Sequence, residues 1–161
     1  MMDPASRVMD LETALRYREK LRNEGKKLVV TNGCFDLLHR GHASYLAAAR
    51  EHGDALLVLV NSDASVRSLK GPSRPVVDED SRAFLLASLR AVDAAVIFDS
   101  SRCDRELAVL KPDLYVKAGD YTLEKLDPIE RAALEAAGTE IVFMPFVAGF
   151  STTGTLKKIL G

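Results

Sequence analysis

The stretch Thr31-Asn32-Gly33-Cys34-Phe35-Asp36-Leu37-Leu38-His39-Arg40-Gly41-His42 follows directly on the apolar run Leu28-Val29-Val30. The run reads as a short strand, Gly33 as part of the turn that ends it, and the residues from His42 onward as a helix. A strand that turns into a helix in this way gathers unpaired backbone N–H groups and the positive end of the helix dipole at one point. Such a point is an anion site. His39 and His42 stand three apart and share a face wherever the chain is helical. Gly41 between them lets a phosphate come close to the backbone. A plainer reading has helix-start histidines with local hydrogen bonds; the strand, the turn and Asp36 favour a held phosphate chain over it. Asp36 itself is placed to point into a substrate pocket or to cap the turn that follows it, and both can hold at once. A metal site is the weaker reading of the pair, because no third ligand stands at a recognisable spacing.

Further apolar runs bounded by turn signals recur at 55–60, 94–98, 114–116 and 141–144, and helix-like stretches lie between them at 42–51, 81–91, 102–110 and 128–137. Short, continuously apolar strands alternating with helices predict a parallel sheet covered on both faces. Asp127-Pro128 reads as an N-cap with a first-turn proline, and Gly138 as the stop of the same helix. Residues 10–22 read as an amphipathic helix ahead of the first strand. The fold expectation is therefore one α/β domain with a doubly wound, Rossmann-like parallel sheet over 27–161, with residues 1–26 supplying an N-terminal helix packed on it.

In an open α/β sheet, ligands bind beyond the carboxyl ends of the strands. The opening motif, 61–63, 117–121 and 146–153 all follow predicted strands, so they converge on one rim. Asp63 is placed either to bind substrate hydroxyls or to cap the helix over 64–69. Lys70, Arg74 and Arg82 are candidate cations for a second substrate, the first two flanking the stiff Gly71-Pro72 turn. Lys117 comes straight after the apolar Leu114-Tyr115-Val116, an odd place for a cation without an anionic partner. Ser151, Thr152 and Thr153 follow Gly149-Phe150 and open the last helix, which puts hydroxyls and free N–H groups at a second positive helix end.

Composition narrows the classes. The 161 residues are 47% apolar and 28% charged, ordinary for a single globular domain. A formal net charge of −1 argues against a nucleic-acid coat or a membrane-surface binder, so an anionic ligand must be met by locally clustered cations. No signal-peptide core and no apolar span are expected, and two widely separated cysteines, Cys34 and Cys103, read as unlinked thiols in a reducing cytoplasm. Walker-type G-x-x-x-x-G-K-[ST], G-x-G-x-x-G and G-x-S-x-G patterns do not occur, which disfavours a P-loop kinase, a dinucleotide dehydrogenase and an α/β-hydrolase.

The motif Thr31–Asp36 with His39-x-Gly41-His42, the loop 69–75, Lys117-Ala118-Gly119-Asp120-Tyr121 and Ser151-Thr152-Thr153 together resemble the cytidylyltransferase-like H-x-G-H nucleotidyltransferases. Within them the likeness is to heptose 1-phosphate adenylyltransferases, and it runs from about Lys27 to the end of the chain. Ala118 stands where that group usually has a second glycine, 123–134 follows a different pattern, and no kinase domain accompanies the chain, so a stand-alone transferase is expected. The resemblance implies that the backbone around Cys34 and Phe35, with His39, His42, Ser151, Thr152 and Thr153, holds a nucleoside triphosphate, with Asp120 and Tyr121 near its base and ribose; Gly41 and Gly119 within the same motifs are counted as nucleotide-binding candidates beside them. It implies that Asp36, Asp63, Lys70 and Lys117 face the sugar phosphate, beside the candidate cations Arg74 and Arg82, and that the protein is a homodimer. Mg²⁺ is expected to ride mainly on the triphosphate, because it keeps waters and needs few protein ligands, and the reducing-compartment reading of the cysteines makes the expected location cytoplasmic.

The expected chemistry is nucleotidyl transfer from ATP, or from CTP, to a sugar or polyol phosphate. A phosphate monoester has its second pKa near ~6, so its oxygen is already ionised at neutral pH and needs no general base. Catalysis then falls to positioning and charge stabilisation by His39, His42 and Lys117. The rivals are a cytidylyltransferase acting on glycerol 3-phosphate or a similar small phosphate, and a nucleotide-binding regulatory module without turnover.

Overall fold

Leu28, Val29 and Val30 are all inaccessible to solvent, yet they belong to two different cores. Successive strand side chains point to opposite faces, so Leu28 and Val30 pack on one side of the sheet and Val29 on the other. The same split runs through the neighbouring strand, where Leu57 and Leu59 face one layer and Leu56, Val58 and Val60 the other. An apolar run without polar alternation is what a strand buried on both faces requires.

The computed structural model describes residues 3–119, 121–145 and 149–160. The strands are β1 (Val8–Met9), β2 (Leu28–Gly33), β3 (Ala55–Asn61), β4 (Ala94–Phe98), β5 (Leu114–Ala118) and β6 (Glu140–Met144). They form one parallel sheet in the order β1-β4-β3-β2-β5-β6. The helices are α1 (Leu11–Asn23), α2 (Arg40–Arg50), α3 (Asp63–Lys70), α4 (Glu79–Ala87), α5 (Asp104–Leu110), α6 (Pro128–Ala137) and α7 (Thr152–Leu160). Residues of α1, α5 and α6 fill one core with Tyr115 and Cys103, while α2 and α4 fill the other with Phe35. This is the doubly wound arrangement predicted. Among the described residues no helix is long and apolar enough to cross a membrane.

The caps account for several element ends. Asp10 accepts from the Thr13 N–H at 2.7 Å and starts α1. Asp127 accepts from the Ile129 N–H at 2.9 Å, Pro128 follows as the first residue of α6, and Gly138 ends it in the left-handed region at φ +69°. The helix after β3 is capped by Ser62, whose hydroxyl accepts from the Ser65 N–H. Asp63 is the first helical residue there and not the cap anticipated from the sequence.

From β2 the chain steps through β3 to β4 on one side, then crosses to β5 on the other side of β2. The switch point of the sheet therefore lies between the carboxyl ends of β2 and β5, where a ligand crevice belongs. The strand β1 is an addition to the sequence reading: only two residues long, it pairs with β4 at the sheet edge.

Candidate functional site

A cleft of about 780 Å³ opens at the β2/β5 switch point. Its lining includes Cys34, Phe35, Asp36, His42, Lys70, Arg74, Lys117, Tyr121, Thr152 and Thr153. A groove of about 340 Å³ continues from it between His39, Gly41 and His42 on one side and Gly149, Phe150 and Ser151 on the other. The two spaces share His42, Tyr45, Ala118 and Thr152 as lining.

The two helix starts meet here. His39 is the N-cap of α2, its Nδ1 accepting from the His42 N–H at a long 3.4 Å. An accepting Nδ1 puts the proton of neutral His39 on Nε2. The two imidazoles stack at 3.8 Å with 14° between their planes, and the Phe35 ring meets His42 edge-on at 5.3 Å. Burial, and after it the neighbouring His39, push the His42 imidazole down to about 4. His42 Nδ1 is buried and has no partner within the described residues. On the other side Ser151 caps α7, its hydroxyl accepting from the Gly154 N–H at 2.9 Å. Phe150 lies 6.1 Å from the His39 ring, with the Arg40 guanidinium over its face at 5.8 Å. A side chain at Gly41 would meet Phe150 Cβ at 2.9 Å and the His39 ring at 3.0 Å. Gly41 is thus needed first for the meeting of the two loops. Phe35 adopts φ +48°, a conformation that costs a bulky residue energy and that surrounding packing must hold in place.

The opposite wall carries the cations, and the structure separates them. Lys70, Arg74 and Lys117 line the cleft. Arg82 does not: it is fully buried, donating to the carbonyls of Val77 and Cys34 and pairing with Asp63 at 2.9 Å. Neither Arg82 nor Asp63 is among the lining residues: the anticipated substrate contact of the fully buried Arg82 is corrected to a brace, while Asp63, partly exposed, is paired to it. The reason is geometric, since Arg82 sits on the inward face of α4 beside Ala83 and Leu86. Asp36 borders the cleft but caps no turn of its own. Its carboxylate accepts from the N–H groups of Val76 at 2.7 Å and Val77 at 3.0 Å and pairs with Arg74. Burial alone would raise the Asp36 carboxyl; these three donors outweigh it and hold it below the ordinary carboxylate range.

Gly119 follows β5 at φ +112°, a conformation that favours glycine, and its N–H donates to Met144 O at 2.8 Å. Ala118 is paired within β5 and requires no positive φ, which explains why alanine is accepted there. Tyr121 lies on the rim with its ring 5.1 Å from the Lys117 ammonium. Asp120, and the part of the anticipated rim at 146–148, lie outside the described residues. Cys34 and Cys103 are both free thiols. The Cys34 thiol is pushed up by burial, and its Sγ lies 3.9 Å from Asn61 Oδ1.

The sequence reading missed a third wall, where Ser101, Arg102, Lys125, Asp127 and Glu130 follow β4 and begin α6. Glu130 is buried and accepts from the Cys103 N–H at 3.0 Å. An acidic residue inside an otherwise amphipathic helix start carries no spacing signal, so only the fold reveals it. Among the described residues no group of three or more His, Cys, Asp or Glu side chains stands close enough to hold a metal ion.

Comparison with known proteins follows the same lines. The family model described as Cytidylyltransferase-like matches residues 30–149. The "Bifunctional protein HldE" of Trichlorobacter lovleyi is 44% identical over 158 residues, 94% of this chain and 32% of that protein. That of Geobacter metallireducens is 44% identical over 158 residues, 98% of this chain and 32% of that protein. This chain therefore spans about a third of the length of these curated relatives. Among solved structures, the lipopolysaccharide core biosynthesis protein from Thermoplasma volcanium matches at TM-score 0.63 with 29% identity, covering 76% of this chain and 98% of that one. A pantoate-beta-alanine ligase from Francisella tularensis shares the fold at TM-score 0.60 and 14% identity, over 91% of this chain and 69% of that one.

Proposed function

Because the chain belongs to the cytidylyltransferase-like family, we propose that it is a nucleotidyltransferase that joins the NMP part of a nucleoside triphosphate to a sugar phosphate and releases pyrophosphate. The observation that carries this reading is the meeting of two helix N-termini, those of α2 and α7, across one groove, opposite a wall bearing Lys70, Arg74 and Lys117. The groove suits a phosphate chain: free N–H groups, imidazole donors and hydroxyls at two positive helix ends. The cationic wall suits a second, separate anion.

In the proposed reaction an oxygen of the acceptor phosphate attacks the α-phosphorus in line, and the bond to the β,γ-diphosphate breaks. The nucleophile arrives ionised. His39 Nε2–H and His42 donate to the phosphoryl oxygens as charge shifts toward the leaving diphosphate. Mg²⁺ would come bound to the triphosphate, where it needs few protein ligands and keeps its waters. Asp36 fits this arrangement, since both of its carboxylate oxygens are already occupied by protein donors.

For the substrates themselves, the resemblance of the motif set to heptose 1-phosphate adenylyltransferases supports ATP and D-glycero-D-manno-heptose 1-phosphate, giving ADP-heptose. The test is pyrophosphate release across the four nucleoside triphosphates, each with a panel of sugar and polyol phosphates. ATP with heptose 1-phosphate should turn over fastest. Preferred turnover of CTP with glycerol 3-phosphate would overturn the substrate assignment. Nucleotide binding without pyrophosphate release for any acceptor would overturn the enzyme assignment in favour of a regulatory module.

A further inference from the structure

At the β2/β5 switch point one cation is held in a way that the chemistry above does not account for. The Lys117 ammonium donates to Asn32 Oδ1 at 2.9 Å and lies 3.4 Å from the Tyr115 hydroxyl, which itself donates to the same Asn32 Oδ1 at 2.7 Å. The ammonium also stands over the Tyr121 ring, 5.1 Å from its centre. Among the described residues, no carboxylate forms an ion pair with it. Among the described residues, the groups that fix it are neutral.

The strand register builds this cluster. Val30 of β2 is paired with Tyr115 of β5, and two residues further along each strand stand Asn32 and Lys117. Residues i and i+2 share a face of a strand, so Tyr115 and Lys117 rise from the same side. Tyr115 is fully buried, its ring part of the core, and burial raises its phenol well above the ordinary range. It therefore keeps its proton and acts as a constant donor. With both Tyr115 and Lys117 donating, the amide oxygen of Asn32 must face them.

We propose that Asn32 and Tyr115 are positioning residues that hold the Lys117 ammonium at the switch point, with its charge uncancelled, to receive the phosphate of the acceptor. This rests on the transfer reading above. The physical case is a choice between neutral and charged partners. A lysine side chain is mobile and loses rotamer freedom when it binds a ligand. A carboxylate would fix it but would also spend its charge on an internal pair. Neutral oxygens and the Tyr121 ring fix it and leave the full positive charge, with ammonium hydrogens to spare, for an incoming anion. The ordering cost is then met on folding and not on substrate binding.

The test uses steady-state kinetics of pyrophosphate release on the full chain, with Tyr115→Phe, Asn32→Ala and Asn32→Asp. Tyr115→Phe keeps the ring in the core and removes one hydroxyl; Asn32→Ala acts at a partly exposed position and stands in if the first variant folds poorly. Both should raise KM for the acceptor phosphate about tenfold, with KM for ATP unchanged. Asn32→Asp keeps an acceptor oxygen but cancels the ammonium, and should raise acceptor KM at least as far. An unchanged acceptor KM in Tyr115→Phe and Asn32→Ala, or equal rises for both substrates, overturns the assignment. Absence of turnover by the unmodified chain with every acceptor overturns the transfer reading itself, and this assignment with it.

Discussion

His42 is neutral over the whole physiological range when the groove is empty, since burial and the stacked His39 bring its imidazole down to about 4. A triphosphate brings several negative charges to the same groove, and nearby negative charge favours the imidazolium. Binding should therefore raise the His42 pKa, and the protein should take up a proton on binding ATP between about pH 4 and the new, higher value. Calorimetric titrations in two buffers of different ionisation enthalpy at pH 5.5 measure that uptake directly. His42→Gln should abolish it and lower kcat by about 10² to 10³, the range for losing one donor to a transition-state oxyanion, while ATP affinity changes little. Uptake that persists in His42→Gln would move the effect to another group. The imidazole pair, Gly41 and the Ser151–Thr153 hydroxyls were legible from sequence because each occupies a fixed offset from a strand end. What spacing could not convey is partnership across the fold, such as Arg82 with the Cys34 carbonyl, or Phe150 against Gly41 and His39.

At the level of elements, the loop at 71–77 and the turn after β2 are fastened to each other twice. Asp36 reaches forward to the N–H groups of Val76 and Val77, and Arg82 reaches back from α4 to Val77 O and Cys34 O. The helix α3 joins the brace through Asp63, which pairs with Arg82. Replacing Arg82 with Met would leave two carbonyls and one partly buried carboxylate without their donor. Breaking such a pair by removing one partner costs about 3 kcal/mol at a site of this partial exposure, at the low end for buried pairs. Urea unfolding should show a lower midpoint with an unchanged slope; a midpoint within error of the unmodified chain would show the brace to be dispensable. Element existence was read correctly from apolar runs because each central strand is buried on both faces and so carries no polar alternation. The helix starts were placed less well, with α2 beginning at Arg40 and α4 at Glu79, since several polar residues in a row could serve as caps. The strand β1 escaped notice altogether: two residues at a sheet edge are too few to show a period.

Across the whole molecule, acid should loosen the fold in two stages whose order follows from where each group sits. For His42 the folded pKa, about 4, lies below the unfolded value near 6.5, so the unfolded chain binds more protons between the two. Stability is then full above about pH 6.5 and declines as pH falls toward 4, where this contribution ends. Asp36 and Asp113 act lower down. Burial would raise both, but Asp113 accepts from Arg18 and from the Leu28 N–H, each at 2.7 Å, and is held below its ordinary value, as Asp36 is by its three donors. A carboxyl lowered on folding stabilises above its unfolded pKa of about 3.9 and loses that contribution as pH falls through the folded value. These carboxylates tie distant parts together, Asp113 joining α1 and β2 to the start of β5 and Asp36 joining the motif to the loop at 74–77, so their protonation should release the α1 side and the site loop. Urea midpoints measured at pH 7, 5 and 3 should fall at each step. His42→Gln should flatten the step from 7 to 5, and Asp113→Asn, already less stable at pH 7, should flatten the step from 5 to 3. A midpoint that holds constant from pH 7 to 5 in the unmodified chain would contradict the buried, neutral state of His42 in the empty groove.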